Sequence, residues 1–409
     1  MIQNSSPAIS LKTSAVFIGS LFFIFSAGVL APRLLAFLPS IFGLGFFTYF
    51  AVKQKQYLKI PKAEVILFGL IILLALISTL WSPNKEFPVE KSVKLLIIFI
   101  PGLFLIMAAR KIQIPSALPF AKGLIAIVFL LLAFLASEKL TDHQIIHFFT
   151  GSEVASFKLN RAYVVLSLFM VPCVFFIAKS GLAKKIKIIL LSLMTVVTLY
   201  AFSLTESQTS QLCLLVGFTF LLLFPVKNKI FGRVLMGLIV VFCLILPFTI
   251  GPIKASLNKD MLVNGNYLVR QASIIHRFDV WNYAAEKAIQ SPIYGHGIGS
   301  LRFMKSDTWM EYQKADSALH AHDAVLQIWA EFGIIGVLLG IALLLYIFRS
   351  IERTENPDAR RLYLAVFIAC FCCSLTGYGV WQSWQLGMFM TVAAFTIFVG
   401  RSFSLKEKI

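Results

Sequence analysis

Two histidines and an aspartate, His320-Ala321-His322-Asp323, stand directly before a long apolar run. That run opens with Gln327, Trp329 and Glu331 and then carries Gly333 and Gly336. Polar groups at the mouth of a membrane helix are expensive and mark function by default. Histidine titrates near neutral pH, so an imidazole here can take the proton of a hydroxyl as a general base. Asp323 or Glu331 can orient such an imidazole or raise its basicity. Upstream, Arg277 and Trp281 lie four residues apart on a stretch with helical periodicity, Ser273 to Ile289. A guanidinium stays charged and grips phosphate oxygens in pairs, so arginine is suited to holding an anionic group beside a base. These types suggest proton removal next to a bound anion.

The elements that position them are membrane helices. The 409 residues are 58% hydrophobic and only 14% charged, where soluble domains carry roughly 25% charge. Apolar runs long enough to span a bilayer recur along the chain. Twelve spans are expected: 14–29, 34–52, 64–82, 93–109, 123–136, 162–178, 188–204, 212–226, 234–250, 324–348, 362–375 and 386–400. The fourth holds Pro101 and Gly102, a kink that neighbouring helices must satisfy. The chain therefore divides into helices 1–9 (residues 1–250), an external loop (251–323) and helices 10–12 (324–409). Basic residues cluster at 53–62, 110–111, 179–187, 227–233, 349–361 and 401–408, all on one side. The positive-inside rule makes that side cytoplasmic, with both termini, and places the loops 138–161 and 251–323 outside. The same clustering accounts for the net charge of +18 without nucleic acid, since no basic stripe lies on a soluble domain.

Within the external loop, Ile274, Arg277, Trp281, Ala284 and Ala288 share one helical face. Such a helix is expected at the membrane surface with Trp281 at headgroup depth. Gly295-His296-Gly297-Ile298-Gly299 follows as a glycine-rich turn, with no strand before it, so it is not a dinucleotide motif. Gly333 and Gly336 are expected to permit close helix packing. All six cysteines sit in apolar runs, without disulfide or metal-ligand spacing, and read as small buried side chains. No Asp-x-Asp pair or His/Cys cluster points to a metal, and no cofactor is expected.

His322, one polar residue, nine positions and then Gly-x-x-Gly resembles the signature of the O-antigen ligase family. Leu326-Gln327, Glu331-Phe332-Gly333 and the order Arg277, Trp281, Pro292, glycines, His322 resemble it too. The likeness is densest from Arg277 to Gly336. Two features depart from the family pattern. Asp323 stands where Asn, Ser or Gln is usual, and Gln208 occupies the expected place of a further external arginine. Arg161, at the external end of the sixth span, is a candidate to supply that cation. The resemblance implies an all-α polytopic enzyme with a C-type glycosyltransferase-like membrane fold. It implies transfer of a glycan from undecaprenyl diphosphate to lipid A-core on the periplasmic face of the bacterial inner membrane, metal-independent and with inversion at the sugar carbon. His322, Arg277 and His320 are the expected catalytic residues; Arg161, Gln208, Trp281, Asp323 and Gln327 are expected to bind substrate. A glycan polymerase and a protein O-oligosaccharyltransferase share the motif. A transporter of lipid-linked sugar belongs to a different class and would place polar residues deep in several spans.

Overall fold

The computed structural model describes residues 11–112, 114, 116–151, 159–256, 274–306, 310 and 316–404. They form an all-α molecule: α1 (Leu11–Leu30), α2 (Leu38–Val52), α3 (Lys62–Ile77), α4 (Glu86–Lys111), α5 (Leu118–Leu140), α6 (Gln144–Thr150), α7 (Asn160–Lys179), α8 (Lys184–Ser203), α9 (Gln208–Leu223), α10 (Lys229–Ser256), α11 (Ile274–Gln290), α12 (Ala324–Glu352), α13 (Pro357–Thr376) and α14 (Ser383–Ser404). Ten of these helices are long and apolar enough to cross a membrane. The second and eighth expected spans are shorter apolar helices, α2 with 15 residues and α9 with 16. α2 loses its expected first turn, because the chain before it makes a tight 3-10 turn at Pro32–Ala36. α9 instead starts four residues earlier than expected, at Gln208, where Ser207 caps it, and ends at Leu223.

Helices that are apolar all round must be sorted by packing, since periodicity gives no face. α7 is enclosed almost completely, whereas α3 and α8 bury little and offer most of their surface to lipid. Two internal prolines test how such helices survive in hydrocarbon. Proline removes a backbone N–H and frees the carbonyl four residues earlier, which must find a donor where there is no water. Pro101 frees the Ile97 carbonyl of α4, and the Ser40 hydroxyl of α2 donates to it at 3.0 Å. Pro247 frees the Cys243 carbonyl of α10, and Trp329 Nε1 of α12 donates to it at 2.8 Å. The kinked helices are thus joined to neighbours by side chains that sequence alone does not pair.

The expected continuous span from 324 to 348 is broken. Gly333, with φ 60° and ψ −154°, divides α12 into a short first half and a long second half. A broken helix leaves carbonyls at one end and N–H groups at the other without partners. The glycine-rich turn supplies both. His296 N donates to the Ala330 carbonyl at 2.9 Å and Gly297 N to the Glu331 carbonyl at 2.8 Å. In return Ile334 N donates to the Pro292 carbonyl at 2.8 Å, and Ile335 N to the Ile293 carbonyl at 3.3 Å. A Cβ on Gly333 would stand 2.4 Å from the Ile293 carbonyl carbon, and one on Gly295 would stand 2.3 Å from that of Glu331. Glycine is therefore required on both sides of a backbone-to-backbone seam. This corrects the helix-packing expectation for Gly333, whose role is to break the helix.

The helix α11 begins within one residue of expectation; Ser273 lies outside the described residues. It does not lie on the surface of the bundle as an isolated amphipathic helix. It packs against α10 and α12, burying Val280, Tyr283, Ala284 and Ala288. Asp279 is buried as well and pairs with Lys254 at the end of α10, 3.2 Å away. Tyr283 carries its hydroxyl to 2.8 Å from the carbonyls of both Leu301 and Met304. The helix is thereby fixed between the bundle and the loop leading to His320.

Candidate active site

The start of α12 explains the local geometry of the polar cluster. Asp323 takes an extended conformation and caps the helix, its carboxylate accepting from Leu326 N at 2.9 Å. The preceding residue, His322, sits in the left-handed region at φ 55°. That conformation is strained for a residue with a Cβ and is retained where the surroundings enforce it, often at functional sites. His322 Nδ1 lies 2.9 Å from the carbonyl oxygen of Gly377, in the loop between α13 and α14. A carbonyl can only accept, so Nδ1 carries the proton and Nε2 is the basic nitrogen. The imidazole is oriented by a backbone carbonyl. Neither carboxylate suspected of that task performs it in the contacts seen: Asp323 caps α12, and Glu331 is engaged elsewhere.

His320 packs edge-on against His322, with ring centroids 4.1 Å apart. Its Nδ1 is buried without a partner. Burial, then the neighbouring His322, pushes its pKa down to about 3, so His320 is neutral at working pH. Burial pushes Asp323 up to about 7, against the pull of the Leu326 and Val325 amides.

Both histidines line a cavity of about 270 Å³ together with Arg161, Val280, Tyr378 and Gln382. Arg161 arrives from the first turn of α7 and faces the rings of Tyr378 and Trp384 at 5.5 and 5.6 Å. Arg161, at the start of the sixth expected span, therefore lines the same cavity as the two histidines. Arg277 does not line this cavity, but it is close enough to act on Tyr378: burial raises the Tyr378 hydroxyl to about 12, while Arg161 and Arg277 pull it back. Burial also lowers Arg277 from the ordinary arginine value. Arg161 thus stands over Tyr378 beside two imidazoles, and the charge of Arg277 reaches the same tyrosine. This arrangement can hold an anion next to a base.

The remaining expected residues have other surroundings. Gln327 is buried within the bundle, its amide donating to Glu331 Oε1 at 2.9 Å and its oxygen accepting from Val380 N at 3.1 Å. Glu331, fully buried, also takes the indole N–H of Trp381. These contacts fasten the 377–382 loop, and hence the Gly377 carbonyl, to α12. Trp281 stacks edge-on with Phe278 at 5.3 Å, and its Nε1 is buried without a partner. Gln208 begins α9, next to Thr209, whose hydroxyl donates to the Thr376 carbonyl at 2.6 Å; Gln208 does not line the cavity. Among the described residues no group of three His, Cys, Asp or Glu side chains gathers to hold a metal.

Three contributors escaped the sequence reading. Tyr378 and Gln382 come from the loop between the last two spans, whose Gly-Tyr-Gly-Val-Trp-Gln content was the available signal. Arg302 stands over the Phe87 ring at 4.3 Å, donates to the Leu319 carbonyl at 3.3 Å and acts electrostatically on both Glu331 and His320. Burial lowers its pKa, and Glu331 and Glu90 oppose that shift.

The sequence is similar to a known family over the stretch that carries this site. The profile described as O-Antigen ligase matches residues 193–341. That range includes Gln208, Arg277, His320 and His322 and leaves out Arg161 and Tyr378. A Rickettsia conorii protein provisionally named as a polysaccharide ligase is 27% identical over 237 residues, 57% of this chain and 55% of its own. Proteins provisionally given the same name from Rickettsia typhi (28% over 196 residues, 47% of each chain) and Rickettsia felis (25% over 247 residues, 58% of each) also match. The chain spans about half the length of the curated relatives it matches. Together these matches support assignment of the chain to the O-antigen ligase family.

Proposed function

We propose that the protein is a membrane glycan transferase of the O-antigen ligase type. It moves a polysaccharide from undecaprenyl diphosphate to lipid A-core oligosaccharide on the periplasmic face of the inner membrane, without a metal. The observation that carries this reading is the cavity that holds His322, with its basic nitrogen selected by the Gly377 carbonyl, beside Arg161. In the proposed reaction an acceptor hydroxyl oxygen attacks the anomeric carbon from the face opposite the diphosphate. The carbon–oxygen bond to the diphosphate breaks with its electron pair, and the configuration inverts. The hydroxyl proton passes to His322 Nε2. Arg161 and Arg277 stabilise the charge that develops on the diphosphate, a contribution that preorganised groups supply without reorganising. Neutral His320 packs against His322 and fixes the plane of its ring.

The basic loops favour both termini in the cytoplasm, with this cavity outside. The test is purified protein in detergent with labelled lipid-linked glycan, a chelator, and three acceptors supplied separately: lipid A-core, a second lipid-linked repeat, and protein. Product on lipid A-core alone supports the ligase. Product on the lipid-linked repeat makes it a polymerase, and product on protein a protein O-oligosaccharyltransferase. Activity lost with the chelator and restored by a divalent cation would overturn the metal-free reaction. Movement of the glycan across vesicles with no covalent product would make it a transporter.

A further inference from the structure

A second, larger cavity starts beside the histidine site, at Ala324, Val325 and Trp381, and runs away from it. It is a groove of about 960 Å³ running along α12 from Ala324 to Thr354. α12 leans on α10 and α11 and touches α3 and α13, while α4 and α14 form the far wall. Side chains such as Phe99, Leu103, Leu343 and Phe389 make its lining largely apolar. Protein interiors are packed as tightly as organic crystals, so a gap of this size between helices in hydrocarbon is filled by something apolar.

The end of the groove away from the histidines has a different character. Arg110 and Arg401, from the last turns of α4 and α14, line that end with Arg353, the C-cap of α12, and with Ser350, Glu355 and Asn356. Arg110 is engaged: its guanidinium donates to Glu64 Oε1 at 2.9 Å, and Tyr346 donates to the same oxygen at 3.1 Å. Arg110 and Arg353 both act on Tyr346, and Arg110 and Arg401 on Tyr363, so the three cations share one neighbourhood. Among the described residues neither Arg353 nor Arg401 forms an ion pair with a carboxylate. Glu64 lines the same end, only 4% exposed, and its Oε2 is buried with no partner. An apolar slot therefore ends in two exposed guanidiniums, with Glu355 beside them, and one buried acceptor without a partner.

We propose that this groove is a binding site for an anionic phospholipid with a hydroxylated headgroup, of the phosphatidylglycerol class. Its acyl chains fill the slot between α12 and the α4–α14 wall. Its phosphate sits on Arg353 and Arg401, and a headgroup hydroxyl donates to Glu64 Oε2. The lipid comes from the leaflet that carries the basic loops, where anionic headgroups meet arginines. The inference stands apart from the histidine cavity and holds whatever reaction that cavity performs.

The experiment uses full-length protein, delipidated in detergent and titrated with phosphatidylglycerol or phosphatidylcholine, with bound lipid counted by native mass spectrometry. Two variants accompany it. Arg353→Ala/Arg401→Ala removes the exposed cations. Gly340→Leu fills the groove at a position where a Cβ meets only Ile328 Cδ1 at 4.0 Å. Thermal melting confirms that each variant is folded. The expected result is one retained phosphatidylglycerol with phosphatidylcholine bound far more weakly. The double variant should bind about 30-fold less tightly, at about fivefold per basic residue, and Gly340→Leu should retain less lipid of either kind. Equal retention of the two lipids, or wild-type retention by both folded variants, would overturn the site. Displacement of phosphatidylglycerol by one equivalent of undecaprenyl diphosphate would overturn it too, by giving the groove to a polyprenyl tail.

Discussion

Replacing Gly333 by alanine attacks the seam that joins the broken helix to the glycine-rich turn. Gly333 adopts φ 60° and ψ −154°, a region populated almost only by glycine. A Cβ there would meet the Ile293 carbonyl carbon at 2.4 Å and the Pro292 oxygen at 2.7 Å, and both are backbone atoms that cannot turn aside. The strain is about 1–3 kcal/mol. Relief requires the turn to move away, which breaks the bonds from Ile334 N to Pro292 and from Ile335 N to Ile293, at about 0.5–1.5 kcal/mol each. The expected loss is about 2–6 kcal/mol. Gly237→Ala is the control. It lies within α10, nothing stands within 4 Å of its added Cβ, and helix propensity predicts a gain of about 0.5–1 kcal/mol. The assay is thermal unfolding of purified protein, with hydrogen exchange followed at the amides of His296 and Gly297, which donate across the same seam. Gly333→Ala should melt earlier and lose protection at those two amides, while Gly237→Ala should melt no earlier than wild type. A Gly333→Ala protein with wild-type melting and intact amide protection would refute the seam.

Three further outcomes follow from the site. Asp323 holds its proton in the folded protein up to about pH 7, whereas the unfolded carboxyl has lost it above 3.8; its stabilisation is present below 3.8 and lost as pH rises through 7, so Asp323→Asn should flatten that fall in denaturant titrations. His320 has the opposite sign, binding its proton near pH 3 when folded and 6.5 when unfolded; stability it favours above 6.5 is lost as pH falls towards 3, and His320→Gln should flatten that limb. Arg277→Ala should weaken donor binding and slow transfer together, with Arg277→Lys recovering only part because an ammonium lacks the planar fork; full recovery by lysine, measured by donor titration and turnover, would remove the bidentate role. For topology, Leu319 is 69% exposed whereas Ser300 is buried, so a cysteine at 319 in a cysteine-free background should react with an impermeant thiol reagent from outside. Labelling only from the cytoplasmic side would reverse the orientation.

How far these features were legible in the sequence depends on what carried them. Apolar length marked twelve segments, because a bilayer demands it; the shortening of α2 did not show, since Pro32 acts on only one turn, nor did the earlier start of α9 at its Ser207 cap. Helical spacing placed α11 well, yet it could not reveal that Asp279 is buried against Lys254. The polar cluster before α12 stood out by type, and the start of the sixth expected span put Arg161 near it. The break at Gly333 was hidden because a glycine inside a long apolar run reads equally as a helix-packing contact, and the turn that takes up the freed backbone groups lies about 40 residues earlier in the chain. The partner that orients His322 was hidden for a different reason: Gly377 contributes a carbonyl, which every residue has, so no residue type announces it. Glu331 looked like a partner for an imidazole by charge, but it accepts from Gln327 and Trp381, a pairing fixed only when α12 meets the last loop.

The account rests most heavily on His322 as the group that takes the acceptor proton, and single-turnover transfer measured beside donor binding tests this directly. His322→Ala should fold, bind lipid-linked glycan near normally and transfer it about 10²- to 10⁴-fold more slowly, a loss that saturating acceptor does not restore. His320→Ala, which removes a neutral neighbour, should lose less. Near-normal single-turnover transfer by a folded His322→Ala protein would contradict the account, and an inactive His320→Ala protein beside it would move the role to His320.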